Sequence, residues 1–170
     1  MGFPGPEEAA PYYFRYIDRV SSGDIVEHLE TQGSDAVVFF AGISEERSRH
    51  RYEPEKWSIR GVLSHVNDTE RVFQSRAFWF ARSFDTPLPS YDQEVSAAAA
   101  GADETAWAEH VEEFRSVRLA SVSFFRNLPP EAWDRRGIAS GNPFTVRAIA
   151  FIIAGHLAHH RAVLEDRYLR

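Results

Sequence analysis

The sequence contains no cysteine, and this absence excludes several kinds of site at once. Disulfide bonds, thiolate metal ligands and cysteine nucleophiles cannot form in this chain. Any thiol that takes part in its chemistry must therefore arrive with another molecule. A chain without cysteine is also compatible with a reducing compartment.

Excess positive charge and long apolar runs are missing as well. The net charge is −6, whereas nucleic acids and anionic membranes select proteins with a basic face, so we predict neither partner. No run of about 18 uninterrupted apolar residues exists, so no membrane-spanning helix is expected. The first residues lack the basic start and apolar run of a signal peptide, which makes a cytoplasmic location the default expectation.

What the chain does contain is enough apolar material for a folded core. Apolar residues make up 44% of the 170 residues and aromatic residues 14%, which argues against a disordered chain. We predict one domain over residues 1–170, with an N-terminal arm over residues 1–23. The first seven residues hold two prolines and two glycines and are expected to be loose.

Four long segments repeat apolar residues at helical spacing, and no convincing alternation of strands appears. This pattern predicts an all-α four-helix bundle. The segment between the second and third helices contains Pro87 and Pro89 and is too long for a simple turn. The predicted helices cover residues 24–42, 58–82 and 103–127 and a last stretch from Asn142-Pro143 almost to the C-terminus.

The strongest chemical signal is a pair of histidines in the last helix. His156 and His160 are four residues apart, so they lie one helical turn apart on the same apolar stripe as Ile149 and Ile152. A buried polar group without a partner costs roughly 1–3 kcal/mol, and one metal ion would satisfy both imidazoles. His159 points about 60° away from His156 around the helix and is expected to lie at the rim.

His65 is the natural third ligand, because it lies on the apolar stripe of the second helix. Bundles commonly build metal sites from side chains on facing helices. The alternative is a packed core histidine without a metal, since a single histidine on an apolar stripe often has that role.

Two motifs give the chain a resemblance to a known family. The segment from Lys56 to His65 (Lys-Trp-Ser-Ile-Arg-Gly-Val-Leu-Ser-His) resembles the opening of the second helix in the DinB/YfiT-like metalloenzymes, and Gly155 to His160 resembles their last-helix motif. The resemblance implies a bundle in up-down-down-up order and three histidine ligands that map onto His65, His156 and His160. It also implies one divalent ion, nickel or zinc, a homodimer and, in some members, transfer of low-molecular-weight thiols.

Two classes of function follow. The first is a metal-dependent enzyme, a hydrolase or a thiol-dependent transferase that acts on a small molecule, because three histidines leave a coordination position open. The second is a non-catalytic binding or stress-related protein with a structural or vestigial metal. Structural sites usually have four protein ligands, and the sequence offers three good candidates, which favours the enzyme.

Other residues are candidates for roles around the metal. Asp68 lies one turn beyond His65 and could orient a ligand or accept a proton, although a solvated role is an equal alternative. Tyr91 and Asp92 could bind substrate from the long connection. Arg76 is interpreted as a surface charge of the second helix. A homodimer interface is expected among the aromatic residues that crowd two helices, namely Phe73, Phe78, Trp79, Phe80, Phe124 and Phe125.

Overall fold

The computed structural model describes residues 2–21 and 23–170, and most of these residues are helical. The prediction of an all-α bundle is confirmed, with two short strands added to it. The helices are α1 Phe14–Ile17, α2 Ile25–Ala41, α3 Ile59–Ala81, α4 Gln93–Ala99, α5 Trp107–Arg126 and α6 Val146–Val163, and the strands are β1 Arg136–Ala139 and β2 Asn142–Thr145. The helices α2, α3, α5 and α6 form the bundle.

Helices α3 and α5 run in the same direction. Arg60 at the start of α3 donates a hydrogen bond of 2.7 Å to the carbonyl of Thr105, just before α5. Further along both helices, Arg118 of α5 donates to Glu70 of α3 at 2.9 Å. Contacts that advance along both helices identify a parallel pair. Such a pair needs a long connection, which explains the length of the segment between them.

Helix α2 runs opposite to α5. At the start of α5, the indole of Trp107 donates to the carbonyl of Phe40 near the end of α2, at 3.0 Å. At the end of α5, Arg126 pairs at 2.7 Å with Glu30 near the start of α2. The contacts therefore move in opposite directions along the two helices, as in an antiparallel pair.

Helix α6 runs opposite to α3. Tyr168, which follows α6, donates to the carbonyl of Trp57 just before α3, at 2.9 Å. At the other end, Arg135 precedes α6 and donates to the carbonyl of Ala81, the last residue of α3. The four helices thus follow the up-down-down-up order that the sequence predicts.

The last helix begins later than the sequence suggests. Asn142 and Pro143 lie in β2, which pairs antiparallel with β1, and the side chain of Thr145 caps α6 by accepting from the Ala148 amide at 3.0 Å. Strands of four residues are too short to show a clear alternation. The turn that joins them uses left-handed backbone at Ser140 and Gly141.

The N-terminal segment is packed rather than loose. Pro4 and Glu8 are buried, and the Glu8 carboxylate accepts two hydrogen bonds of 3.0 Å from Arg147 at the start of α6. Thr145 donates a third at 2.6 Å. A single buried carboxylate among prolines and glycines leaves no periodic pattern, so composition alone could not reveal this contact.

The Glu8 contact makes stability depend on pH. Burial raises the pKa of Glu8, but the hydrogen bonds from Arg147, Thr145 and the Gly5 amide outweigh burial and hold the pKa below its ordinary 4.5. A carboxyl whose pKa is lowered by folding stabilises the protein above its unfolded pKa, and this contribution disappears as pH falls through the folded value. We expect Glu8→Gln to lower the melting temperature at pH 7 and to reduce the acid-dependent loss of stability below about pH 4.5. Melting curves from pH 7 to pH 3 measure both effects, and parallel profiles for the two proteins would contradict this prediction.

Several residues expected at a dimer interface belong instead to the core. Phe73, Phe80 and Phe125 are buried within the bundle, because three helices and the hairpin surround this end of α3. Phe78 is 43% exposed and remains available to a partner. In the part of the chain that the structure describes, no helix is long and apolar enough to cross a membrane.

Candidate metal centre

Three histidines meet where α3 faces α6. His156 of α6 lies one turn before His160, and its Nε2 atom is 3.1 Å from Nε2 of His160 and 3.1 Å from Nε2 of His65 on α3. All three possible ligand atoms lie within 4.8 Å of one another. The antiparallel packing of α3 and α6 is what brings together residues that are far apart in the sequence.

The spacing of these nitrogens fits a metal ion better than it fits hydrogen bonding. A neutral imidazole Nε2 carries either one hydrogen or one lone pair, so His156 cannot pair well with two nitrogens at once. Bonds of about 2.0–2.1 Å from one ion place neighbouring ligand nitrogens roughly 3 Å apart. The donor set is therefore suited to a divalent cation that prefers imidazole.

Burial keeps the three imidazoles in the neutral form that can bind a metal. It lowers the pKa of His65 to about 4 and that of His160 to about 3, and it holds the pKa of His156 well below its ordinary range. Among residues 2–21 and 23–170, no carboxylate oxygen lies within 4.0 Å of a ring nitrogen of these three histidines. On the far side of His65, Nδ1 is 3.4 Å from the Thr69 hydroxyl, which can fix the orientation of the ring.

The N-terminal segment closes one side of this centre. The ring of Tyr16 packs edge-on against His156, with 5.3 Å between ring centroids, and against His159 at 5.6 Å. Gly155 makes the approach possible, because a Cβ at this position would lie 2.0 Å from the carbonyl oxygen of Tyr16. The glycine before His156 therefore has a packing function.

We expect Gly155→Ala to displace the N-terminal segment from α6. The new methyl group would overlap backbone atoms of Tyr16, which cannot rotate away as a side chain could. The expected result is a loss of about 1–3 kcal/mol in the free energy of unfolding, typical of overpacking, with faster proteolysis between residues 2 and 21. Gly101→Ala, where a Cβ would meet no atom within 4 Å, controls for a general effect of replacing glycine, although its positive φ adds some strain. Unchanged protease sensitivity in Gly155→Ala would contradict this expectation.

A cavity of about 220 Å³ opens beside the histidines. Its walls come from the N-terminal segment, from one stripe of α3, from the connection before α4 and from the hairpin turn. The lining residues are Tyr12, Tyr13, Tyr16, His65, Thr69, Val72, Phe73, Arg76, Tyr91, Gln93, Ser140 and His156.

The structure places the other candidate residues in different surroundings. Tyr91 lines the cavity, and its buried hydroxyl has no hydrogen-bond partner among the described residues. Asp92 caps α4 by accepting from the amides of Glu94 and Val95, at 3.0 Å and 3.2 Å, and does not line the cavity.

Asp68 lies on a neighbouring part of α3, outside this cavity. Its carboxylate accepts a hydrogen bond of 2.9 Å from Ser96 of α4 and lies 3.6 Å from Arg71. It still acts on the centre electrostatically, because its charge raises the pKa of His65 against the larger effect of burial. His159, expected at the rim, is half-buried and is not among the three clustered histidines.

Arg76 is the main cavity residue that the sequence interpretation misplaced. It was expected on the surface, but its side chain is only 5% exposed. Arg76 follows His65 by eleven residues on the same stripe of α3, and both residues line the cavity. Eleven residues make about three helical turns, so the spacing itself is the signal that could have revealed the shared face. A charged side chain on a helix is usually solvated, which is why the sequence favoured the surface.

Comparison with known proteins supports these observations at the level of family and fold. The family model of the DinB superfamily matches residues 28–164, which include all three clustered histidines. The chain belongs to the DinB superfamily. A comparison with curated proteins finds no match.

Two solved structures share the fold of this DinB protein. YfiT from Bacillus subtilis, described as a probable metal-dependent hydrolase with an unusual four-helix bundle topology, superposes with a TM-score of 0.70 at 14% identity, over 96% of this chain and 89% of YfiT. A mycothiol-dependent maleylpyruvate isomerase gives a TM-score of 0.69 at 9% identity, over 85% of this chain and 61% of the isomerase. At such low identities the likeness establishes the fold alone.

Proposed function

We propose that this protein is a metal-dependent enzyme that acts on a small molecule. In this proposal, His65, His156 and His160 hold one divalent ion, nickel or zinc. The observation that carries the proposal is the convergence of three neutral imidazoles beside a cavity, with Nε2 of His156 3.1 Å from Nε2 of each of the other two. A cluster buried inside the core without a cavity would have had no access to a substrate.

The cluster suits two classes of reaction. When bound, a divalent ion can lower the pKa of water toward about 7 or hold a thiol as the thiolate, and these two abilities correspond to hydrolysis and thiol transfer. The two structures with the same fold are described as a probable metal-dependent hydrolase and a mycothiol-dependent isomerase, so one is metal-dependent and the other thiol-dependent. The lack of cysteine means that a thiol would come from a co-substrate.

The chain's own residues have roles that do not depend on which reaction occurs. Thr69 holds the orientation of His65, and Tyr16 covers His156 and limits the access of water from the N-terminal side. Tyr91 offers to a bound molecule a hydroxyl that has no partner among the described residues. These contacts prepare the cavity for a substrate before it binds, which reduces the cost of ordering the site.

A proton-accepting role for Asp68 is part of the proposal. Its support is the position of Asp68, one turn beyond His65 on α3. Asp68→Asn should lower turnover while metal content stays at the wild-type level. Unchanged turnover would remove Asp68 from the mechanism without affecting the metal centre.

The test of the enzyme proposal combines metal loading with a reaction screen. Protein loaded with Zn²⁺ or Ni²⁺ is assayed against small esters and amides, and against electrophiles in the presence of low-molecular-weight thiols. Turnover that requires the metal and disappears in His65→Ala supports the proposal. Metal binding without turnover in either class, combined with a fourth protein ligand in a metal-bound structure, would favour the non-catalytic protein.

We also propose that the protein forms a homodimer. Large apolar side chains remain exposed on the bundle, with Val38 at 75%, Leu119 at 61% and Phe78 at 43% exposure. Burying such residues between two copies is favourable. Light scattering at micromolar concentration is expected to give twice the mass of one chain, and the mass of a single chain would contradict the proposal.

A further inference from the structure

Arg76 is a buried cation whose charge no protein carboxylate balances. Its side chain lies in the cavity wall, and among residues 2–21 and 23–170 no carboxylate comes within 4.0 Å of its nitrogens. Burial accordingly lowers the pKa of Arg76 from its ordinary value. A buried charge is costly unless an opposite charge and hydrogen bonds compensate for it.

Each of the other two buried arginines has a glutamate partner that balances its charge. Arg60 pairs with Glu45, and Arg118 forms two hydrogen bonds of 2.9 Å with Glu70. Arg76 therefore differs from both in lacking an acidic partner. The difference lies at the cavity wall, where a bound molecule could supply the missing charge.

The hydrogen bonds of Arg76 do not use all five of its N–H donors. One terminal nitrogen, Nη2, donates to the Ser140 hydroxyl at 2.8 Å and to the Pro89 carbonyl at 3.3 Å. These contacts fix the guanidinium between α3, the long connection and the hairpin turn. The Tyr13 hydroxyl is a further hydrogen-bond partner of the guanidinium and raises the pKa of Arg76 against the larger effect of burial. In the described part of the chain, Nε and Nη1 have no other acceptor. Arg76 is thus held in place and still able to donate to a ligand.

The cavity around Arg76 suits an acidic molecule with an aromatic or apolar body. Tyr13 and Phe73 supply ring surfaces, and the guanidinium carbon lies 5.4 Å from the centre of the Phe73 ring. Tyr91 adds a hydroxyl that is unpartnered within residues 2–21 and 23–170. A volume of about 220 Å³ is below the usual range for ligand pockets, roughly 300–1,000 Å³, so the occupant should be small.

We propose that Arg76 binds the carboxylate of a small acidic substrate, which extends from Arg76 toward the three histidines. The proposal rests on the proposed function, because it makes this cavity the substrate site. Arg76 and His65 lie on the same stripe of α3 and line the same cavity. One molecule can therefore contact the guanidinium at one end and present its reacting group to the histidines at the other.

The test uses two probes of the same shape that differ in charge. Benzoate carries the carboxylate, and benzamide is its neutral counterpart. Calorimetric titration of the full-length protein, before and after loading with Zn²⁺, should show at least tenfold tighter binding of benzoate than of benzamide. Arg76→Met should remove this preference, and Arg76→Lys should retain part of it because it keeps the charge. Benzoate should also raise the melting temperature of the wild type but not of Arg76→Met.

Arg126→Met is the matched control, because it removes the same charge from an exposed position of α5. Its preference for benzoate should equal that of the wild type. Equal loss in both variants would mean that net charge decides binding, and an unchanged preference in Arg76→Met would mean that Arg76 binds no carboxylate. Tighter binding of inorganic phosphate than of benzoate would also overturn the carboxylate assignment. If the protein fails to bind Zn²⁺ but keeps the Arg76-dependent preference for benzoate, the metal proposal is wrong and the carboxylate proposal stands. If it binds Zn²⁺ but shows no such preference, the carboxylate proposal is wrong and the metal proposal stands.

Discussion

His156→Ala is expected to abolish tight metal binding. His156 is the central member of the cluster, since its Nε2 lies 3.1 Å from each of the other two Nε2 atoms. Losing a hydrogen-bond partner behind a ligand already weakens metal binding by about 10- to 100-fold, so losing the central ligand should cost more. Competition against a chromophoric chelator measures the affinity for Zn²⁺. A wild-type affinity in this variant would contradict the proposed metal centre.

His159→Ala provides the control from the same helix. The His159 ring contacts Tyr16 and His160, but it is not part of the three-histidine cluster. Its removal should leave the affinity for Zn²⁺ unchanged. Zn²⁺ should likewise raise the melting temperature of this variant and of the wild type, but not of His156→Ala. Equal loss of affinity in the two variants would place His159 among the ligands.

Arg118→Met is expected to cause the largest loss of stability. Arg118 and Glu70 are each only 3% exposed and are joined by two hydrogen bonds of 2.9 Å across the parallel pair α3 and α5. Without Arg118, the Glu70 carboxylate stays buried with no cation beside it. Removing one partner of a buried pair costs about 3–5 kcal/mol. For a protein of this size, that loss corresponds to roughly 6–20 °C in melting temperature.

The double variant Glu70→Met/Arg118→Met distinguishes the lost pair from lost packing. Removing both charges leaves no buried ion, so the double variant should be more stable than Arg118→Met alone. Arg76→Met offers a second comparison, because it removes a buried arginine that has no acidic partner in the part of the chain that the structure describes. Its effect on the melting temperature should be clearly smaller than that of Arg118→Met. Similar losses in all three variants would show that packing, not charge, dominates.

Much of the fold could be predicted because the signals were periodic. The four bundle helices follow from apolar spacing, and the meeting of His65 with His156 and His160 follows from their places on two apolar stripes. Gly33 is a poor helix former on sequence grounds, but it is buried inside α2. A Cβ there would lie 2.6 Å from the Arg118 side chain, so the glycine makes room for the buried ion pair.

The features that escaped prediction depend on contacts between distant parts of the chain. Arg76 and Glu70 have the residue types of a solvated helix face, and only the packing of other elements over α3 makes them buried. The hairpin at Ser140 was not predicted, because Asn142-Pro143 in its second strand is a pair typical of the start of a helix. The contact between Glu8 and Arg147 joins segments 139 residues apart, a separation at which local patterns carry no information.

The contact of Tyr16 with α6 also has a consequence for how the site is assembled in time. The segment holding Tyr16 is synthesised well before Gly155, His156 and His160, because these residues follow it far along the chain. Contacts between segments so distant in sequence form late, because a long loop must close before they contribute. The tyrosines of the N-terminal segment therefore stay exposed to solvent until α6 has been synthesised and packs over them. The capacity to bind a metal and the burial of the N-terminal tyrosines should accordingly arise together, at the end of folding.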